Sequence, residues 1–128
     1  MKLSRLEAGT RLVLDYLEAF NRLDLAKMLD CISTDCILET ATPAPHGTTY
    51  QGKEVITRYW QDFFAQKDKL HLKIEQVFGM GIRCVACWRL EWWDARGKPQ
   101  TLRGVEIFRI RAGLICAQNS YCKATLEG

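Results

Sequence analysis

One acidic residue stands in an apolar setting. In the stretch LRGVEIFRI (102–110) the even positions are Leu102, Gly104, Glu106, Phe108 and Ile110. A period of two therefore sets Glu106 among apolar neighbours on one strand face. An unpaired buried carboxylate is costly, so such a residue must be paired, protonated or turned toward a cavity. Three arrangements meet that demand. In a pocket, desolvation raises the pKa of the carboxyl group, which can then act as acid, base or hydrogen-bond donor. As a satisfied core acid, Glu106 pairs with an arginine or caps a helix end. With a bulge nearby the register flips and Glu106 meets water.

A second stretch, DCILETATPAPHGTTYQG (35–52), has the residue types of a pocket rim. Cys36, Ile37 and Leu38 read as strand core, with Glu39 and Thr40 where the strand opens. Adjacent strand residues point to opposite faces, so Glu39 and Thr40 do not share one unless a bulge intervenes. His46 follows in the loop; a histidine titrates near neutrality and is a candidate base. Flanked by Pro45 and Gly47, it also reads as a solvated loop residue. His71, beside Lys67 and Lys69, reads as surface. Trp88 and Trp92 share the face of Glu106 and could wall a cavity for a flat ligand, or simply fill a core. Trp60 lies on a helical stretch and reads as core.

Composition limits the alternatives. The 128 residues are 48% hydrophobic and 26% charged, as expected of one globular domain, 1–128, with a core of its own. A net charge of +3 implies neither a nucleic acid nor a membrane partner. No apolar run approaches the ~20 residues of a membrane span. The charges at Lys2, Arg5 and Glu7 interrupt any signal-peptide core, so a cytoplasmic protein is expected. The chain has six cysteines, and CVAC (84–87) has metal-site spacing. On a strand, however, Cys84 and Cys87 face opposite ways, and Cys116 and Cys122 stand roughly 20 Å apart. Reduced thiols, with no metal and no cofactor, are expected.

The elements that must position these residues follow from periodicity. Leu6, Val13, Tyr16, Leu17 and Phe20 mark a long first helix within 3–22. A short helix from Leu23 to Leu29 has Asp24 placed as its cap. A strand at 36–40 and a loop lead to a third helix from Lys53 to Gln66, with Val55, Ile56, Tyr59, Trp60 and Phe63 inward. Strands follow at about 71–79, 82–94, 100–111 and 114–123, broken by glycines. Their short connections make an antiparallel meander, one face of which the helices must cover, an α+β layout.

This order resembles the nuclear transport factor two-like superfamily, in its SnoaL-like and ketosteroid isomerase-like branch. The resemblance spans residues 11–123 and is clearest at YLEAFNRLDLAKMLDCISTDCILE (16–39), YQGKEVITRYWQDFF (50–64) and LRGVEIFRIRAGLI (102–115). It implies a curved antiparallel sheet wrapped around N-terminal helices, a cone with an internal apolar pocket. Ketosteroid isomerases set a donor tyrosine on the first helix and a protonated aspartate beside it on a late strand. Tyr16 and Glu106 match those positions, which favours the pocket arrangement for Glu106. The aspartate base of those enzymes matches Thr40, whose hydroxyl is far too weak a base. His46 and Glu39 remain as candidate bases.

The resemblance thus implies a small enzyme of isomerase or polyketide cyclase type, binding a hydrophobic carbonyl compound and stabilising its enolate. The expected catalytic residues are Tyr16, Glu106, His46 and Glu39, and the expected ligand contacts are Thr40, Trp60, Trp88, Trp92 and Phe108. The alternative is a non-catalytic module of the same fold that binds a small hydrophobic molecule or a protein. Members of the superfamily commonly dimerise through the outer sheet face. Here Val85, Cys87, Trp93, Val105 and Ile107 share that face with arginines, so a homodimer is expected.

Overall fold

A computed structural model of the chain describes residues 5–123. Helix α1 (Arg5–Asn21) buries Val13, Tyr16, Leu17 and Phe20, the i, i+3, i+4, i+7 stripe expected of a helix that packs on one side. Residues 3–4 and the side chain of Leu6 lie outside the described residues. The end of α1 is fastened to the sheet. Asn21 Nδ2 donates to the carbonyl of Leu72 and Asn21 Oδ1 accepts from the Leu72 N–H, each at 2.7 Å. Helix α2 (Leu25–Asp30) opens with the Asp24 carboxylate accepting from the Lys27 N–H at 3.1 Å, the cap read from the sequence.

Strand β1 (Ile32–Glu39) starts four residues earlier than the apolar run suggests. A short β2 (Thr49–Gln51) pairs with it before helix α3 (Lys53–Ala65). Ile56 and Trp60 of α3 are buried and Tyr59 and Phe63 half-buried, but Val55 is exposed, contrary to the inward position expected for it. It lies in the first helical turn, one residue off the buried stripe through Ile56 and Trp60.

The long strands are β3 (Asp68–Met80), β4 (Arg83–Trp93), β5 (Pro99–Arg111) and β6 (Leu114–Cys122). They form the expected antiparallel meander within a six-stranded sheet of order β2-β1-β6-β5-β4-β3, in which β1 runs parallel to β6. The result is an α+β fold whose curved, unclosed sheet wraps around the N-terminal helices. Register shifts interrupt the β1–β6, β3–β4 and β5–β6 ladders, and such bulges bend strands. Positive φ at Gly81, Gly97 and Gly113 lets the three meander turns close.

The alternation read in β4 holds: Cys84, Ala86, Trp88 and Leu90 are buried against the helices. Between α1 and α3, Phe20 packs on Trp60, Phe63 and Phe64 with ring centroids 5.4–5.9 Å apart. Each such ring, once buried, stabilises the fold by roughly 1.5–3 kcal/mol. This aromatic cluster joins α1 to α3, and a space remains between it and the inner sheet face. Among the described residues no helix is long and apolar enough to cross a membrane.

Candidate functional site

That space is a cavity of about 280 Å³, bounded by α1, α3 and the inner face of β4–β6. Tyr16, Glu106, Thr40, Trp60, Trp88 and Trp92 line it, as do Gln118, Ser120, Tyr59, Phe63 and Lys67. The sheet register brings its polar group together. Glu106 stands directly across from Ser120, and Phe108 from Gln118, so Gln118 is one diagonal step from Glu106 on the same face.

Four side chains make a chain of hydrogen bonds. The Tyr16 hydroxyl donates to Gln118 Oε1 at 2.8 Å, and Gln118 Nε2 donates to Glu106 Oε2 at 3.1 Å. The Ser120 hydroxyl reaches both carboxyl oxygens of Glu106, at 2.7 and 2.6 Å. Gln118, absent from the sequence reading, thus separates Tyr16 from Glu106. Among the described residues no arginine pairs with Glu106, and its 8% exposure excludes a bulge that would turn it to water.

Burial pushes the Glu106 carboxyl up from 4.5 to about 7, against the opposing donors Ser120, Gln118 and Trp88. Burial likewise raises the Tyr16 phenol well above its ordinary value, and the charges of Cys36 and Glu106 add to this. The thiol of Cys122, at the cavity wall, is pushed up to about 11 by burial and by Glu106. Glu106 therefore changes charge near neutrality while these neighbours stay protonated.

Two donors in the cavity wall have no acceptor. The indole N–H groups of Trp60 and Trp88 are buried and make no hydrogen bond of ordinary geometry. They nonetheless lie near enough to Tyr16 and Glu106, respectively, to hold those pKa values down slightly.

The rim residues are arranged differently. Thr40 is buried at the cavity edge, but its hydroxyl is engaged by the loop backbone, with the carbonyls of Thr42 and Thr48 at 3.0 and 3.3 Å and the Thr48 N–H at 3.2 Å. Glu39, half-buried and paired in register with Thr49 and Asn119, does not line the cavity. His46 is exposed and outside it. Phe108 is fully buried behind the site, edge-on to Tyr16 at 5.9 Å, and touches no open space. Glu106 is thus the only carboxyl or imidazole group among the described residues of the lining. No three His, Cys, Asp or Glu side chains gather as a metal centre requires among the described residues.

A curved, unclosed sheet wrapped around N-terminal helices is the fold of the NTF2-like and ketosteroid isomerase-like proteins. The sequence profile of the SnoaL-like domain matches residues 13–118, and the chain belongs to that family. An NTF2-like protein of unknown function from Mesorhizobium loti is similar over 97% of this chain and 98% of its own, at 25% identity and a TM-score of 0.80. A protein from Xanthomonas campestris provisionally named a polyketide cyclase shares the fold at 22% identity and a TM-score of 0.79, over 92% of each chain. An epoxide hydrolase from M. tuberculosis shares it at 12% identity and a TM-score of 0.80, over 94% of this chain and 86% of its own. No protein of curated function matches the sequence.

Proposed function

We propose that this chain is a small-molecule enzyme of isomerase or cyclase type, moving a proton on a hydrophobic carbonyl compound bound in the cavity. The observation that carries this reading is Glu106: a lone buried carboxyl facing a cavity, titrating at about 7. A proton-transfer group works best when its pKa lies near the working pH. In its ionised form Glu106 takes a proton from the carbon beside the carbonyl; the C–H electrons move onto the carbonyl oxygen as an enolate. The unpartnered N–H groups of Trp60 and Trp88 are donors available to that oxygen, and fixed donors aimed at growing negative charge are the device such a step requires. The protonated Glu106 then returns its proton to carbon. Tyr16, Gln118 and Ser120 orient the carboxyl group through their hydrogen bonds. The role assigned to Glu106 here is proton carrier, because neither His46 nor Glu39 lines the cavity.

A second reading, a binding module without chemistry, is favoured by one observation. Tyr16, Gln118, Ser120 and Glu106 satisfy one another with no ligand needed, as a structural network does. A homodimer through the outer sheet face is supported by exposed Phe78, Trp93 and Tyr121 there, beside half-buried Val85, Val105 and Ile107. The six free thiols suit a reducing, cytoplasmic setting.

Exchange of the α-protons of 2-tetralone in D₂O, followed by NMR, tests the enzyme reading. The wild type should accelerate exchange with a rate that rises as pH passes through about 7. Glu106→Gln should lose it by on the order of 10²-fold or more. Exchange at the buffer rate, or unaltered in Glu106→Gln, would leave the binding module as the better account.

A further inference from the structure

Lys67 lies in the short connection between α3 and β3 and is part of the cavity lining. Its ammonium sits 3.7 Å from the centroid of the Phe63 ring and 5.6 Å from that of Trp92. Both rings also line the cavity, so the cation is held over an aromatic surface at the mouth rather than extended into water. The side chain is half-buried, and that burial lowers its pKa. Among the described residues no carboxylate pairs with it; Asp62 and Asp68, close in sequence, are both exposed and make no ion pair with it. Contact with a ring contributes roughly 0.5–2 kcal/mol to a cation but gives it no acceptor. A charge-assisted hydrogen bond to an anion is the stronger interaction, and here it is unmade.

The inner wall shows the same shortage of acceptors. Trp60 and Trp88 present buried N–H groups whose approach to Tyr16 and Glu106 falls short of a hydrogen bond of ordinary geometry, and a buried group left unsatisfied costs up to roughly 1–3 kcal/mol. A ligand complementary to this lining carries an acceptor oxygen for an indole N–H at its inner end and an anionic group for Lys67 at its outer end, joined by an apolar body that packs on Tyr59, Phe63 and Trp92. The cavity of about 280 Å³ is just below the ~300–1,000 Å³ range of ligand pockets, which suits a ligand of one or two rings.

We infer that the ligand of this site is a one- or two-ring aromatic carbonyl compound bearing a carboxylate, with Lys67 as the specificity-determining residue that binds the carboxylate at the cavity mouth. Its standing as a substrate rests on the proton-transfer reading above; its standing as a ligand does not.

Calorimetric titration of the full chain with 2-naphthoate and with its neutral isostere 2-naphthamide tests this. At pH 6 most Glu106 is protonated and repels neither probe. The wild type should bind naphthoate about tenfold or more tightly than the amide. Lys67→Gln should bring the two within about twofold of each other, through loss of naphthoate affinity alone, and Lys67→Arg should restore the preference. Equal affinities in the wild type, a preference that survives Lys67→Gln, or no binding of either probe overturns the inference. Tetralone exchange that depends on Glu106 without any charge preference sinks this inference alone. A Lys67-dependent preference without exchange sinks the reaction and keeps the ligand class.

Discussion

The molecule has two polar clusters at its cavity, and they behave in opposite ways. At the inner end Tyr16, Glu106, Gln118 and Ser120 bond to one another's side chains, the first three buried and Ser120 half-buried. At the rim Thr40 and Thr48 bond to the backbone of their own loop, with both hydroxyls directed to the Thr42 carbonyl. The first cluster keeps a carboxyl group where desolvation governs its proton; the second holds a turn in shape. Residue types alone do not tell them apart, since each contains hydroxyls and a titratable neighbour. Burial does. His46 in the loop is exposed, whereas Glu106 is 8% exposed and shifted to about 7.

The largest expected difference between the clusters is in how stability depends on pH. The raised pKa of Glu106 means that between about 4.5 and 7 the folded chain holds a proton the unfolded chain has lost. Stability from this group therefore falls as pH rises through that window and levels off above it. The full cost is about 3 kcal/mol, at about 1.4 kcal/mol per unit. Urea denaturation at pH 5 and pH 8 should show most of this loss in the wild type and none of it in Glu106→Gln. Equal pH dependence in the two proteins would mean that Glu106 is not desolvated as the cavity implies.

A somewhat smaller effect should come from steric pressure on the same wall. A Cβ at Gly104 would run into the Tyr121 carbonyl and the Trp88 ring. The carbonyl belongs to the paired β6 backbone, so the strands must shift locally as well as the Trp88 ring. Gly104→Ala should lose roughly 1–3 kcal/mol of stability, as overpacked cores do. Because Trp88 lines the cavity, its displacement should also weaken naphthamide binding in the same calorimetric titration. An alanine variant as stable as the wild type, with unchanged affinity, would show that the wall yields more easily than its geometry allows.

How legible these clusters were in the sequence differs for the same physical reason. Glu106 stood out because a period of two is strict on a strand, and one charge among Leu102, Phe108 and Ile110 breaks it. Gln118 and Ser120 obey that period in β6 as well, between Cys116 and Cys122, and their shared face was a usable signal. Their registration against Glu106 was not readable, because a shift between Arg109 and Ile110 changes the pairing. Lys67 gave no signal: it follows α3 in a connection where no periodicity applies, and only the folded chain brings it over Phe63. The start of β1 was set too late for a related reason. Ser33 is buried, and Thr34 and Asp35 next to it are exposed, so the pattern is irregular until Cys36. The meander itself was legible because turn glycines separate four strand-length runs, with clean alternation in β4.

The rim should respond least, and in a graded way. Thr40→Val removes a hydroxyl that meets two carbonyls and one N–H of the loop, while leaving the shape of the side chain. A loss of about 1 kcal/mol is expected from the hydrogen bonds, with tetralone exchange within about twofold of the wild type. His46→Ala should do less still, with stability within about 0.5 kcal/mol and exchange unchanged at every pH, because an exposed side chain outside the cavity has nothing to lose. The pair is informative because the two sites are six residues apart in one loop. If His46→Ala lowered exchange while Thr40→Val did not, the loop would have to close over the bound ligand and bring the imidazole to it, and the contrast between rim and inner face would hold only for the unliganded chain.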